Sequence, residues 1–453
     1  MTLKQRIRDL QHALDTGTTT SVELTKEALR RIQDPQGEGA KTFIAVHEES
    51  ALRAAELSDA IRAAGQTRSP LEGLPISIKD LFDMVGERTL GASVVLDQSE
   101  PAPANALLVQ RLMDAGAIII GRTNMTEFAF SGLGINPHYG TPRAPWKRDE
   151  GRIPGGSSSG AGVSVADGMC AAAIGTDTGG SIRIPSAFCG VTGFKPTAER
   201  IPNDGVMHLA FSLDSSGPLG WSVECCAIID SILSGEAYTP LETIPYHHLR
   251  IAVPKDVVFN SLDHEVAKRI NASILALTNS GVQVERIELP EFNELAYINR
   301  NGGFVCAEAW ALHRDLIEEA EERYDPLVAK RIRLGAQQSA ADYIDLLSER
   351  ARWIQAVEAR LEPYDAFLMP TTPVVPPRIS DLQQDEETYF TTNALVLRNP
   401  SIINFLDGCA VSLPCHHEGE APVGLSLAAP GHHDAHLLRV AHTVEQLLNQ
   451  IRN

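Results

Sequence analysis

Pro154-Gly155-Gly156-Ser157-Ser158-Ser159-Gly160, followed by Gly175-Thr176-Asp177-Thr178-Gly179-Gly180-Ser181-Ile182-Arg183, is the stretch on which the reading of this sequence turns. Residues 163–174 between the two loops are almost all small or apolar. Such a connection lets a helix and a strand pack closely and brings the loops together. Alone, the first loop reads as a flexible turn or as a cradle of backbone N–H groups for phosphate. The phosphate reading loses on detail. A P-loop ends in Gly-Lys-Ser or Gly-Lys-Thr, and a dinucleotide loop runs Gly-x-Gly-x-x-Gly after a strand; neither is present. The second loop suits acyl transfer. Two glycines before a serine let the backbone turn tightly, so that several N–H groups converge where an oxyanion develops. The loop around Ser181, Gly179-Gly180-Ser181-Ile182-Arg183, is not a Gly-x-Ser-x-Gly elbow, which disfavours the α/β-hydrolase arrangement for that serine.

Upstream of the loops, Leu74-Pro75-Ile76-Ser77-Ile78-Lys79 alternates apolar and polar as a strand does. Ile76 and Ile78 share one face, Ser77 and Lys79 the other. Residues 106–115 read as a helix and 117–120 as a short buried strand. Strand, helix, strand predicts an α/β layer fold. Before it, Leu3, Ile7, Leu10 and Leu14 repeat at helical spacing up to Gly17. Thr20-Ser21-Val22-Glu23 has the form of a capping box opening a second helix, and a third is predicted over 48–64. Downstream, strands are expected at 251–253, 282–285, 367–369 and 425–428. Helices are expected over 261–280, 327–358 and 434–451. The organisation is one α/β domain over 1–453: N-terminal helices to 70, a core over 71–220, and the rest of the sheet with substrate-facing helices over 221–453. A separable cap over 200–400 is the alternative.

These motifs resemble those of the amidase signature family. Gly73 to Asp80 matches the family's lysine strand, and Gly121-Arg122-Thr123-Asn124-Met125-Thr126-Glu127-Phe128 its next element. Gly155 to Gly160 and Gly175 to Pro185 match its serine loops. Ala187-Phe188-Cys189-Gly190 and Gly193-Phe194-Lys195-Pro196-Thr197 complete the pattern. The resemblance is dense from about residue 70 to 220 and thin afterwards. It implies an α/β fold with a large mixed, twisted sheet covered by helices on both faces. It implies Ser181 as nucleophile, Ser157 as a bridging serine preceded by a cis peptide bond, and Lys79 as base. The backbone N–H groups of Thr178, Gly179, Gly180 and Ser181 fall on the oxyanion hole. Ser158, Asp177 and Arg183 fall on structural positions of these loops. By the same resemblance Asn124, Met125, Phe130 and Tyr139 line the acyl pocket, although core or loop packing explains each as well. Arg331 and Arg333 resemble a region that grips a carboxylate, against a plainer reading as the exposed face of a charged helix. Many relatives carry Gly where Ser159 stands; its hydroxyl is expected to alter only loop packing.

Elementary chemistry agrees with these roles. A serine is a weak nucleophile until a neighbour takes its proton. A lysine can take it only when neutral, and its ordinary pKa is about 10.4; burial in a dry site lowers that value. Read in isolation, Lys79 is a surface lysine at a strand end. Its place relative to the two serine loops reverses that reading.

The formal net charge is −19, from 58 acidic and 39 basic residues, which excludes direct nucleic-acid binding as the favoured function. Seven cysteines, odd in number and without a Cys-x-x-Cys pair, read as reduced thiols of a cytoplasmic protein. Cys189 reads as a packed small residue rather than a nucleophile. No stretch is apolar enough to span a bilayer. No metal-ligand spacing accompanies the paired histidines, and no metal or cofactor is implied. The expected activity is hydrolysis of the C–N bond of a small carboxamide. The glutaminase component of a tRNA-dependent amidotransferase and an inactive scaffold are the alternatives. The resemblance points to a homodimer.

Overall fold

The computed structural model describes residues 1–255 and 257–452. Eleven strands form one mixed sheet. In chain order they are β1 (Phe43–Val46), β2 (Pro75–Lys79), β3 (Ile118–Thr123), β4 (Ala172–Asp177), β5 (Thr192–Lys195), β6 (Ser215–Gly220), β7 (Arg250–Pro254), β8 (Gln283–Ile287), β9 (Ala366–Pro370), β10 (Cys409–Pro414) and β11 (Gly424–Ala429). Their order across the sheet is β1-β3-β2-β4-β6-β5-β10-β11-β9-β7-β8. β3, β2 and β4 run parallel, as do β9, β7 and β8; the remaining pairs are antiparallel. The stretch 200–400 contributes β6, β7, β8 and β9 and is therefore woven into the same sheet as the rest.

Helices cover both faces, and the strands show why. Along β9, Ala366 and Leu368 join one apolar cluster with the C-terminal helix Asp434–Arg452, through Leu437, Val440 and Val444. Phe367 and Met369 point the other way, into a cluster with Phe292, Phe304, Trp353 and Phe405. A period of two on a sheet buried on both faces requires apolar residues at every position, and all five residues of β9 are buried.

The N-terminal expectations hold closely. Helices span Ile7–Asp15, Ser21–Ile32 and Glu48–Ala63, and Thr20 and Glu23 form the capping box. The strands expected at 117–120, 251–253, 282–285, 367–369 and 425–428 are β3, β7, β8, β9 and β11. The helix expected over 327–358 is instead two, Pro326–Leu334 and Ala340–Leu361, joined by a short 3-10 turn. A side chain at Gly335 would collide with the Cys306 carbonyl, and Ser339 with Asp342 opens the second helix with a capping box. Periodicity alone does not register such a break. β6, Ser215-Ser216-Gly217-Pro218-Leu219-Gly220, reads locally as a turn. It is nonetheless a fully buried central strand, because neighbours crowd it so closely that a Cβ on Gly217 would meet the Phe194 carbonyl.

Candidate active site

Three parallel strands end at one edge, the usual place for chemistry in such sheets. β2 pairs with β4 through Ile76–Ala172, Ser77–Ala173 and Ile78–Ile174. This register sets Lys79, the last residue of β2, beside Gly175 and Thr176. Lys79 is fully buried. Its Nζ lies at hydrogen-bond distance from Ser157 Oγ, 2.8 Å, and from Thr176 Oγ1, 2.7 Å. Burial pushes its pKa down to about 7 against the pull of the Asp214 and Asp177 carboxylates. The alternating polar face of β2 thus points into the protein interior rather than to solvent.

Ser157 lies in the first glycine-serine loop, and the Gly156–Ser157 peptide is cis. The segment after β3 holds this loop. Gly156 N–H donates to the Gly132 carbonyl (2.8 Å), Thr126 N–H to that of Ser157 (3.0 Å), and Gly160 N–H to that of Asn124 (2.9 Å). Space is tight: a Cβ on Gly156 would stand 2.5 Å from Gly134 N. The helix Ser159–Ala166 follows, buried throughout. Its glycines allow close approach to the helix Arg183–Cys189, with a Cβ on Gly162 only 3.0 Å from Pro185 Cβ. The small residues between the loops therefore bring them together as expected. Ser158 N–H reaches the Ser181 carbonyl at 3.3 Å, and Ser158 Oγ donates to the Thr176 carbonyl at 3.3 Å.

The second loop is shaped by Asp177. Its carboxylate accepts from the N–H groups of Gly180 (2.8 Å) and Ile182 (3.1 Å), from Arg183 Nε (3.0 Å) and Nη2 (2.8 Å), and from Asn404 Nδ2 (2.9 Å). Asp177 and Arg183 are both fully buried. Burial alone would raise the Asp177 carboxyl; the Arg183 guanidinium and the hydrogen bonds outweigh it and hold the group well below the usual carboxylate range. One consequence corrects the sequence reading. The Gly180 N–H, expected in the oxyanion hole, is turned into the Asp177 carboxylate. Gly180 itself has φ +126°, and a Cβ there would meet Pro400 Cβ at 2.6 Å, so only glycine fits. Thr178 Oγ1 donates to Asp214 Oδ1 at 2.5 Å, and Asp214 also binds the Leu209 N–H and His208 Nδ1, both at 3.0 Å.

Ser181, Thr178 and Gly179 open onto a cavity of about 630 Å3. Its walls are largely apolar, with Phe130, Phe292, Phe304 and Phe405 prominent. Of the expected pocket residues, Phe130 and Arg331 line it; Asn124, Met125 and Tyr139 do not. Asn124 is buried with its amide spent on backbone. Nδ2 donates to the Lys41 and Gly140 carbonyls (both 2.8 Å), and Oδ1 accepts from Met125 N–H (2.8 Å). Met125 and Tyr139 pack in or against the neighbouring core. Ser159 Oγ donates to the Asn124 carbonyl at 3.3 Å, the loop-packing role expected for it. Arg331 stacks over the Phe130 ring, 4.4 Å from its centroid, and donates Nη1 to the Phe130 carbonyl. Arg333, two residues on, faces outward to Glu321. The exposed-face reading thus holds for Arg333 and fails for Arg331. Cys189 is buried, its thiol pKa raised by that burial, and Sγ lies 3.5 Å from the Pro154 carbonyl.

The sequence reading passed over Thr176, Asp214, Asn404 and Arg398. Thr176 stands inside a quoted motif and its hydroxyl was the available signal. The others are single polar residues far along the chain with no motif around them. Among the described residues, no group of three or more His, Cys, Asp or Glu is arranged to hold a metal ion. No helix among them is long and apolar enough to cross a membrane.

The family model described as Amidase matches residues 23–438. The chain belongs to the amidase family. It is 36% identical over 422 residues to the 2-amino-5-chloromuconic acid deaminase of Comamonas testosteroni, covering 92% of this chain and 90% of that protein. It is 32% identical to the A subunit of the glutamyl-tRNA(Gln) amidotransferase of Thioalkalivibrio sulfidiphilus (strain HL-EbGR7), covering 98% and 97%. A crystal structure of an amidase superposes with a TM-score of 0.87 at 32% identity, covering 98% of this chain and 99% of that one. The protein is accordingly an amidohydrolase, acting on amide C–N bonds.

Proposed function

We propose that Ser181 is the nucleophile of this amidase and that Lys79, acting through Ser157, removes its proton. The observation that carries the reading is the fully buried Lys79, its pKa near 7 and its Nζ 2.8 Å from Ser157 Oγ. A neutral lysine has two N–H groups and one lone pair. Thr176 takes one N–H and thereby orients the lone pair toward Ser157. Lys79 accepts the Ser157 proton as Ser157 accepts that of Ser181, and Ser181 Oγ forms a bond to the amide carbonyl carbon. The oxyanion is received by the N–H groups of Thr178, Gly179 and Ser181, since that of Gly180 is engaged by Asp177. Ser157 then protonates the leaving nitrogen, the C–N bond breaks, and an acyl-enzyme remains. Water, activated by the same relay, releases the carboxylate and restores Ser181. Asp177 and Arg183 hold the loop and Arg331 anchors the far part of the substrate.

The chain works in this reading as one amidase domain in the cytoplasm on a small-molecule amide, without cofactor. The test is ammonia release from a panel of small carboxamides that includes glutamine, run beside Ser181→Ala. Release by the native protein that disappears in the variant supports the nucleophile; equal release by both overturns it. The glutaminase component of an amidotransferase is the second reading, favoured by the likeness to the Thioalkalivibrio protein. It requires glutamine to be the preferred amide. Among the described residues the cavity wall carries no carboxylate to pair with glutamine's ammonium group, which favours the stand-alone amidase.

A further inference from the structure

The charge of the cavity is opposite to that of the protein. The chain as a whole carries a formal −19. Yet among the described residues no Asp, Glu, Lys or His lines the cavity around Ser181, and two arginines do, Arg331 and Arg398. Neither takes part in an ion pair among the described residues. Arg331 rests on the Phe130 ring and spends one nitrogen on the Phe130 carbonyl. Arg398 donates Nε to Asn399 Oδ1 at 2.9 Å, with Nη2 3.4 Å from the Val258 carbonyl. A guanidinium has five N–H donors and stays charged in proteins, so each retains donors without an acceptor among the described residues. Burial lowers the pKa of both, as befits cations lacking a counter-charge. Half-buried charge of one sign in an apolar enclosure is costly unless a ligand neutralises it.

Position ties this charge to the reacting serine. Arg398 lies on the helix Glu386–Phe405, whose turn 397–401 packs against the nucleophile loop. A Cβ on Gly179 would stand 3.6 Å from Leu397 Cδ2 and 4.0 Å from Ser401 Cβ, and one on Gly180 2.6 Å from Pro400 Cβ. The same Leu397 Cδ2 stands 3.0 Å from a Cβ on Gly132, beside the loop that carries Phe130 and hence Arg331. Both arginines thus line the same cavity as Ser181, Arg398 from the helix that packs on the nucleophile loop and Arg331 from beside Phe130.

We infer that the substrate is an anionic amide, a monoamide of a di- or polycarboxylic acid with an apolar or unsaturated backbone. Its remote carboxylate is bound by Arg398 together with Arg331. Arg398 is the new specificity-determining residue. The inference rests on the amidase reading above. The phenylalanine wall receives the hydrocarbon backbone, and the basic lining concentrates anions despite the acidic exterior.

The experiment compares ammonia release from the monoamides of butanedioic, pentanedioic and hexanedioic acids with that from the neutral amides of equal length. It is run on the native protein, Arg398→Gln and Arg398→Lys. A lost charge-assisted hydrogen bond corresponds to about 10- to 100-fold. The expected result is a preference of that size in kcat/KM for one monoamide over its neutral partner, falling toward one in Arg398→Gln and kept in part by Arg398→Lys. Equal or better use of the neutral amides overturns the inference, as does an unchanged preference in Arg398→Gln. Calorimetric titration of Ser181→Ala with the corresponding dicarboxylates serves if no amide is turned over, an outcome that counts against the amidase reading. Binding that disappears when Arg398→Gln is added supports the anion site; no binding, or binding that persists, overturns it.

Discussion

The floor and the wall of this active site are built in opposite ways. The floor, between Lys79 and Arg183, is a buried polar lattice. Lys79, Ser157, Thr176, Asp177 and Arg183 are each tied to named partners at 2.7–3.0 Å. The wall, drawn mostly from residues 292–405, is aromatic and aliphatic, relieved by two arginines. Polar groups out of water must each find a partner, so the floor tolerates few substitutions. Apolar contacts are non-directional, so the wall can change residue by residue and keep its shape. One fold can thereby keep its chemistry and alter its substrate.

The largest effects should come from the floor. Lys79→Ala should lower kcat/KM by about 10^4-fold, by analogy with the loss of a triad member, while its thermal midpoint changes little or rises. Activity within tenfold of native would separate Lys79 from the chemistry. Asp177→Ala removes one partner of a fully buried ion pair and should cost about 3–5 kcal/mol in denaturant unfolding. A loss below about 1 kcal/mol would mean that the lattice is not what holds the loop.

The lysine gives a third test with a definite sign. Its folded pKa, about 7, lies below its ordinary value near 10.5. Between these limits the unfolded chain binds more protons at this site than the folded one, so the site's contribution to stability rises with pH. The penalty for burying Lys79 is complete below pH 7 and fades toward pH 10.5. Lys79→Met should therefore be more stable than the native protein at pH 6, by a gain on the order of a few kcal/mol, that shrinks steadily as the pH is raised. A gain independent of pH would contradict the neutral-lysine account. The smallest effect belongs to the wall. Phe130→Leu keeps the cavity apolar but removes the ring beneath Arg331. A contact of this kind is worth about 0.5–2 kcal/mol, so KM should rise by about 2- to 30-fold with kcat nearly unchanged. A fall confined to kcat would place Phe130 in the chemistry.

The same contrast explains what could be read in the sequence. The floor was legible because its chemistry demands particular residue types in a fixed order. Ser157, Ser181, Lys79, Asp177 and Arg183 all stand in short glycine-framed motifs, and the structure draws them to one strand edge. Gly180 shows the limit, since a motif does not say which way an N–H points. Most of the wall, Phe130 and Arg331 apart, was illegible for the converse reason. Phe292, Phe304 and Phe405 look like any core phenylalanine, and Arg398 like any helical arginine. Asn124 and Met125 stand in the Gly121–Phe128 motif, yet are consumed by backbone bonds and core packing. In the fold, β9 and β11 announced themselves as apolar runs. β6 did not, because a central strand this crowded needs the glycine and small residues that otherwise mark turns.

The most direct test of the central claim needs no substrate. The native protein is labelled with a fluorophosphonate across the pH range 5 to 10, and the modified residue is mapped by mass spectrometry. The account predicts a single adduct on Ser181, absent in Ser181→Ala, whose rate of formation rises with a midpoint near the Lys79 pKa of about 7. An adduct on another residue, or a rate on Ser181 that climbs only near the ordinary lysine pKa of about 10.4, would contradict it.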